Sequence, residues 1–127
     1  MEELLKWSQK KIHPVLKAAH FHYRMVAIHP FDDGNGRLAR ILMNLILIKS
    51  GYLPCIIRNT QRKQYLLALE KADQTQDLGP FTHFVMEELR ETLRLAVGVL
   101  KGIEATAPAD ERLAFNRTQR EQLILKL

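Results

Sequence analysis

The chain has 127 residues, 46% hydrophobic and 26% charged, which suits one soluble domain around a single core and excludes a disordered or fibrous chain. Its formal charge of +5 and pI of about 9.6 admit anionic partners such as nucleotides or nucleic acid without choosing among them. The longest apolar run, Leu45 to Ile48, is far too short to cross a bilayer, nothing reads as a signal peptide, and the lone Cys55 excludes an internal disulfide and fits a reducing, cytoplasmic setting.

Residues 1 to 11 read as a short helix with Leu4, Leu5 and Trp7 on its apolar side, acidic residues leading and basic ones trailing as the helix dipole prefers. Pro14 fits the first turn of a second helix, whose apolar face is expected from Val15, Leu16, Ala19, Tyr23 and Val26. This helix ends near His29, because Pro30 disfavours the helical conformation in the residue before it. Asp32 to Gly36 is then a tight loop. A third helix runs from Arg37 to Ser50, with Leu38, Ile41, Leu42 and Leu45 at helical spacing. Its second half is apolar on nearly all sides, the pattern of a buried central helix, and Gly51 is its stop. "YLPCIIR" is extended, and Asn59 or Thr60 caps a helix over Gln61 to Ala72. "DQTQDLGP" is a loop, Pro80 to about Gly102 a long amphipathic helix, "EATAPAD" a linker and 111 to 127 one more helix. No sustained alternation of period two appears, so the class is all-α, a compact bundle of five to six helices around that central helix. The domain boundary falls between a core of residues 1–103 and a linker with C-terminal helix over 104–127.

The chemistry concentrates between the second and third helices, in "IHPFDDGNGRLAR". Gly34 and Gly36 permit backbone conformations closed to other residues and a close approach by a ligand. They precede a helix N-terminus, where unpaired N–H groups and the dipole favour an anion of phosphate size. Arg37 and Arg40 stand one turn apart at the end of the helix where the dipole favours acids, and Asn44 continues the row. That placement breaks a local rule, as functional sites do, and a bound anion would reverse the penalty. The plainer reading sends both arginines to solvent. Asp33 is either the N-cap of the third helix or a hard oxygen ligand for Mg²⁺, sufficient alone when substrate phosphates complete the shell. His29 is either a helix-end cap or, beside an anion site, a general base whose ordinary pKa suits the task. Phe31 reads as a core anchor for the loop and Asp32 as a solvated residue. His13, His20, His22 and His83 lack comparable company and read as structural or surface residues.

The spacing of His29, Phe31, Asp33, Gly34, Asn35, Gly36, Arg37 and Arg40 resembles the signature of the Fic family, His-x-Phe-x-(Asp/Glu)-Gly-Asn-Gly-(Arg/Lys)-x-x-Arg, with all eight positions matched. "AAHFHYRMVAIHPF", "RILMNLILIKSGY" and "YLLALEKAD" resemble the helices around it, so the likeness spans roughly residues 1 to 101. The resemblance implies an all-helical fold and an enzyme that transfers AMP from ATP to a hydroxyl side chain of a target protein. It makes His29 the general base and Asp33 the holder of Mg²⁺ against the α- and β-phosphates. It makes Gly34, Asn35 and Gly36 an anion hole, with Asn35 also fixing the α-phosphate. Arg37 would assist the phosphates and Arg40 would hold the γ-phosphate. Gly36 separates the motif from the kinase-like Doc branch, which departs at that glycine; AMP removal by some members is not separated from AMP addition.

Two departures bear on function. The upstream β-hairpin flap with which many members dock targets is expected to be missing before the first helix. No copy is found of the inhibitory (Ser/Thr)-x-x-x-Glu-(Gly/Asn) helix, since "TQREQ" at 118 to 122 has the wrong spacing; such a helix or partner would come from outside this chain. The tail "FNRTQREQLILKL" resembles the opening helix of an appended winged-helix domain, or is a basic helix packed on the core. The rival to the enzyme is therefore a nucleotide-binding regulatory module, DNA-linked through that appended part.

Overall fold

Five α-helices and one 3₁₀ turn make up the computed structural model, which describes residues 1–106. They are α1 (Glu2–Ser8), α2 (Pro14–Ile28), α3 (Asn35–Lys49), α4 (Arg62–Thr75) and α5 (Gly79–Thr106), with the turn at Asn59–Gln61. No strand occurs among the described residues, so the all-α class holds. The helix expected over 111 to 127 and most of the linker before it lie outside the described residues, although α5 itself runs three residues past the boundary expected at 103.

The most extensive interface joins α2 and α3. Ala18, Ala19 and Ala39 are fully buried and let the two backbones approach closely. One core cluster lies between α2, α3, α4 and α5 and contains Met43, Leu47, Tyr65, Phe81 and Val85. A smaller one, Leu4, Phe21, Met25 and Ala39, sits where α1 crosses the α2–α3 pair. Trp7 of α1 is held between two α2 side chains, stacked on His20 at 5.8 Å and covered by the Arg24 guanidinium at 4.6 Å.

Several side chains depart from the pattern expected of them. Leu5 and Leu16 are exposed, whereas Ala18, Phe21, His22 and Met25 face inward. α3 is not buried on all sides: Ala39, Met43 and Leu47 form its core face, one residue every four, while Ile41, Leu45 and Ile48 are exposed. A helix packed chiefly against one partner buries one stripe, and an apolar composition does not change that geometry. Neither Asn59 nor Thr60 caps α4; both belong to the 3₁₀ turn, and α4 starts without a side-chain cap bond. The loop after α4 shrinks to residues 76–78 because Gln76 takes the left-handed conformation (φ 54°) and Asp77 Oδ1 accepts the Gly79 N–H at 2.9 Å.

The extended segment before α4 has no neighbouring strand among the described residues, so its backbone groups are paired by a side chain instead. Asn44 of α3 accepts the Cys55 N–H on Oδ1 at 2.8 Å and donates Nδ2 to the Cys55 carbonyl at 3.2 Å. Asn44 thus fastens residues 53–57 to α3 rather than extending the row of polar site residues. Cys55 is fully enclosed, and burial, reinforced by the Glu88 charge, pushes its thiol up to about 12.

His22 is also fully buried, between Tyr65 (rings edge to face, 5.6 Å) and Phe81 (5.1 Å). Burial first, and the Arg40 charge second, lower its pKa from 6.5 to about 4. The unfolded imidazole binds its proton near pH 6.5 and the folded one only near 4, so folding is favoured above 6.5 and that contribution is lost as the pH falls to about 4. The shift corresponds to about 3 kcal/mol. Urea denaturation from near neutrality down to that pH should show the loss in the wild type, and His22→Gln should flatten the slope across this window.

Candidate active site

α2 ends where Pro30 forbids another helical turn, and His29 closes it in the left-handed region with φ 50° and ψ 58°. A side chain other than glycine in that region is strained, and such strain gathers at functional sites. The His29 N–H still reaches the Met25 carbonyl at 3.2 Å, so the residue caps the helix with its backbone while its imidazole lines a cavity of about 480 Å³.

The other side of that cavity is the N-terminus of α3. Gly34 is the N-cap residue, with φ 81°, a value that a side chain would strain. α3 begins at Asn35, two residues before the expected start, so Gly36 lies inside the helix and its conformational freedom is not used. A Cβ at Gly36 would meet Arg40 Nη1 at 3.5 Å, an ordinary contact that the arginine tolerates. The first turn of α3 carries no side-chain cap, and its residues Asn35, Gly36 and Arg37 line the cavity.

Asn35, not Phe31, holds the loop down. Phe31 is exposed, which corrects the expectation of a core anchor. The buried Asn35 carboxamide grips the Phe31 backbone at both ends, accepting its N–H on Oδ1 at 3.0 Å and donating Nδ2 to its carbonyl at 2.6 Å. Asp33 does not cap α3. Its Oδ1 accepts the N–H of the adjacent Gly34 at 2.6 Å, and its Oδ2 lies 3.9 Å from Arg37 Nη2 in a pair that water surrounds and weakens. Asp33 and Asp32 both line the cavity.

Arg37 and Arg40 face the same cavity, not the far side of α3. Arg37 is exposed at the mouth, while Arg40 is half-buried and acts on the Tyr65 hydroxyl and on His22. The structure thus brings together His29, Asp33, Gly34, Asn35, Gly36, Arg37 and Arg40. Of the other histidines, His13 accepts the Val15 N–H at the start of α2, His20 stacks on Trp7, and His83 is exposed.

The second half of the cavity comes from chain that sequence reading left unassigned. Ile57, Arg58, Asn59, Arg62, Tyr65, Leu66 and Leu69 line it. Arg58 is pinned by Glu88 of α5, Nη2 to Oε1 at 3.3 Å and Nε to Oε2 at 3.4 Å. Counting Arg37, Arg40, Arg58 and Arg62 against Asp32 and Asp33, cations outnumber carboxylates on the walls. The signal for this half was the pair of arginines flanking "NTQ", a turn between an extended stretch and a helix, but nothing local tied it to the glycine loop.

A family model described as Fic/DOC matches residues 1–47, which include every one of the eight signature positions. A protein adenylyltransferase Fic of Drosophila persimilis is 41% identical over 99 residues, covering 75% of this chain and 19% of that protein. The chain belongs to the Fic family. The Drosophila melanogaster protein of the same name is 37% identical over 126 residues, covering 90% of this chain and 25% of its own length. Among solved structures, Fic-1 (residues 134–508) of C. elegans superposes with a TM-score of 0.76 at 35% identity, over 80% of this chain and 32% of that one. The chain thus spans about a fifth to a quarter of the Fic relatives it matches and adopts the Fic helical core.

The Asn35 clamp has a measurable weight. Replacing Asn35 by alanine removes two hydrogen bonds to one loop residue, at a cost of about 2 kcal/mol. Urea denaturation should show that loss, and the Phe31 amide should exchange with solvent far faster than in the wild type; unchanged Phe31 exchange would show that the loop is held by something else.

Proposed function

We propose that this chain carries the catalytic core of a protein adenylyltransferase, moving AMP from ATP to a Ser, Thr or Tyr hydroxyl of a target protein. The observation that carries the reading is the convergence of His29, the open amides of α3 and the Arg37–Arg40 pair on one cavity of about 480 Å³. That volume suits a nucleotide-sized ligand. The relatives' name, protein adenylyltransferase, agrees with it.

In this reading the triphosphate lies across the N-terminus of α3. The amides of Asn35 and Gly36, joined by that of Gly34 once Asp33 Oδ1 turns from it, and the helix dipole meet the α-phosphate oxygens, where negative charge develops during transfer. Asn35 contributes through its backbone N–H, because its carboxamide is engaged by Phe31. Arg37 and Arg40 neutralise the outer phosphates, Arg40 the γ-phosphate. The target hydroxyl approaches beside His29, which takes its proton as the oxygen attacks the α-phosphorus. A new oxygen–phosphorus bond forms, the bond to the β-phosphate oxygen breaks, and pyrophosphate leaves. Little more is asked of the protein than position and charge.

The residues also fit a Mg²⁺ ion. Asp33 offers a hard carboxylate oxygen at the cavity, and among the described residues no group of three or more His, Cys, Asp or Glu side chains could hold a metal unaided. Mg²⁺ would therefore be shared between Asp33 and phosphate oxygens, where it neutralises charge on the phosphates.

ATP labelled at the α-phosphate should label protein in the presence of this chain and Mg²⁺. His29→Ala should lower that labelling by about a hundredfold or more, the usual worth of a general base. Asp33→Ala should raise the Mg²⁺ concentration needed. Labelling from the γ-phosphate, or undiminished labelling by His29→Ala, would overturn the assignment.

A further inference from the structure

Four guanidinium groups line the cavity. Arg37 and Arg40 rise from α3, while Arg58 and Arg62 flank the 3₁₀ turn at Asn59–Gln61 on the other wall. The transfer as described uses only the first pair.

The four differ in the partners that the protein itself supplies. Arg58 is held by the buried Glu88 carboxylate at 3.3 Å and lies 3.9 Å from Glu91, so its charge is offset before any ligand arrives. Arg37 has Asp33 at 3.9 Å, in a pair that water weakens. Arg40 and Arg62 have no carboxylate within ion-pair distance among the described residues. Each wall thus presents one arginine whose charge no side chain answers.

Arg62 is exposed, and an exposed arginine on a helix ordinarily does no more than face water. Its place in the fold sets it apart. The first turn of α4 holds Arg62 and Lys63 and no acid, although the helix dipole disfavours cations there. Of these two cations Arg62 lines the cavity and Lys63 does not. The first turn of α3 likewise lacks an acid and carries Arg37. Two helices on different sides of one cavity therefore each place a cation where an anion belongs. An anion lying between them would offset both costs.

We propose that Arg62 is a further phosphate-binding residue of this site, meeting the triphosphate from the wall opposite Arg40. This deepens the reading of the preceding subsection and rests on it. A triphosphate lying across the N-terminus of α3 turns some of its oxygens away from α3, toward the α4 wall. A guanidinium without a carboxylate partner can give those oxygens two parallel N–H donors. Arg58 does not take this task, because Glu88 already accepts from its Nε and Nη2. The grip on the phosphates thereby extends beyond the eight signature positions to a residue of another helix.

The test titrates the full chain, followed by NMR, with ATP plus Mg²⁺ and separately with adenosine, which lacks the phosphates. Arg62→Met keeps most of the side-chain length and removes the charge, and wild-type amide dispersion shows that the variant is folded. It should weaken ATP binding about tenfold, the scale of one hydrogen bond to a charged group, and leave adenosine binding unchanged. Lys63→Met removes a charge from the same helical turn and should leave both affinities unchanged. An equal loss of ATP affinity in Lys63→Met means bulk charge instead of contact and overturns the proposal. Equal weakening of ATP and adenosine in Arg62→Met also overturns it, since a residue that merely shapes the wall would act in that way. Undiminished ATP affinity in Arg62→Met, with a loss in Arg40→Ala, overturns the role of Arg62 and leaves the nucleotide reading intact. No ATP binding by the wild type removes the nucleotide reading, and the role of Arg62 with it.

Discussion

The grip of the Asn35 carboxamide on the Phe31 backbone is the constraint from which the site follows. The chain leaves α2 at a proline and must enter α3 within a few residues, with two aspartates and a glycine between. Nothing apolar holds that passage, since Phe31 is exposed. One buried side chain closes a ring from the first turn of α3 to the residue that follows Pro30. With the loop fixed, Gly34 can take its left-handed conformation and the leading amides of α3 stay uncovered. His29, three residues before Asp32, is thereby set across from them.

α3 uses the same device twice. Asn35 and Asn44 are nine residues apart, and each binds a backbone N–H and the same residue's carbonyl in a segment lacking regular structure. Backbone groups excluded from helix or sheet must still be paired, and a carboxamide matches a peptide's donor and acceptor one for one. The helix thereby fastens the loop that makes one wall of the cavity and the extended segment that leads to the opposite wall. Asn44 lies on the polar row with Arg37 and Arg40, whereas Asn35 lies on the core face with Ala39, Met43 and Leu47, and of that row the arginines are what face the cavity.

The sequence made the helices legible because their apolar residues recur at helical spacing, and it made the glycine loop legible because its charges contradict the helix dipole. It misled where burial depends on what covers a face. Ile41, Leu45 and Ile48 have the character of core residues, and no local pattern reports that the packed elements leave them exposed. Phe31 misled for the same reason. The wall contributed by Arg58, Arg62 and Tyr65 was illegible because its connection to the loop is purely spatial, made by the packing of α4 near α2 and α3. His22 carried no sign of its buried setting, which is created by an aromatic ring 43 residues later and another from α5.

The pinning of Arg58 has a consequence for how this cavity could diversify. Glu88 belongs to α5, a helix that contributes no residue to the cavity walls, yet its buried carboxylate fixes the direction of a guanidinium that does. Exchange of that one glutamate for a neutral side chain would leave Arg58 only its longer pair with Glu91, at 3.9 Å, and so loosen a cation toward whatever the cavity holds. Variation at a position remote from the signature could in this way retune ligand preference while every signature residue stayed the same.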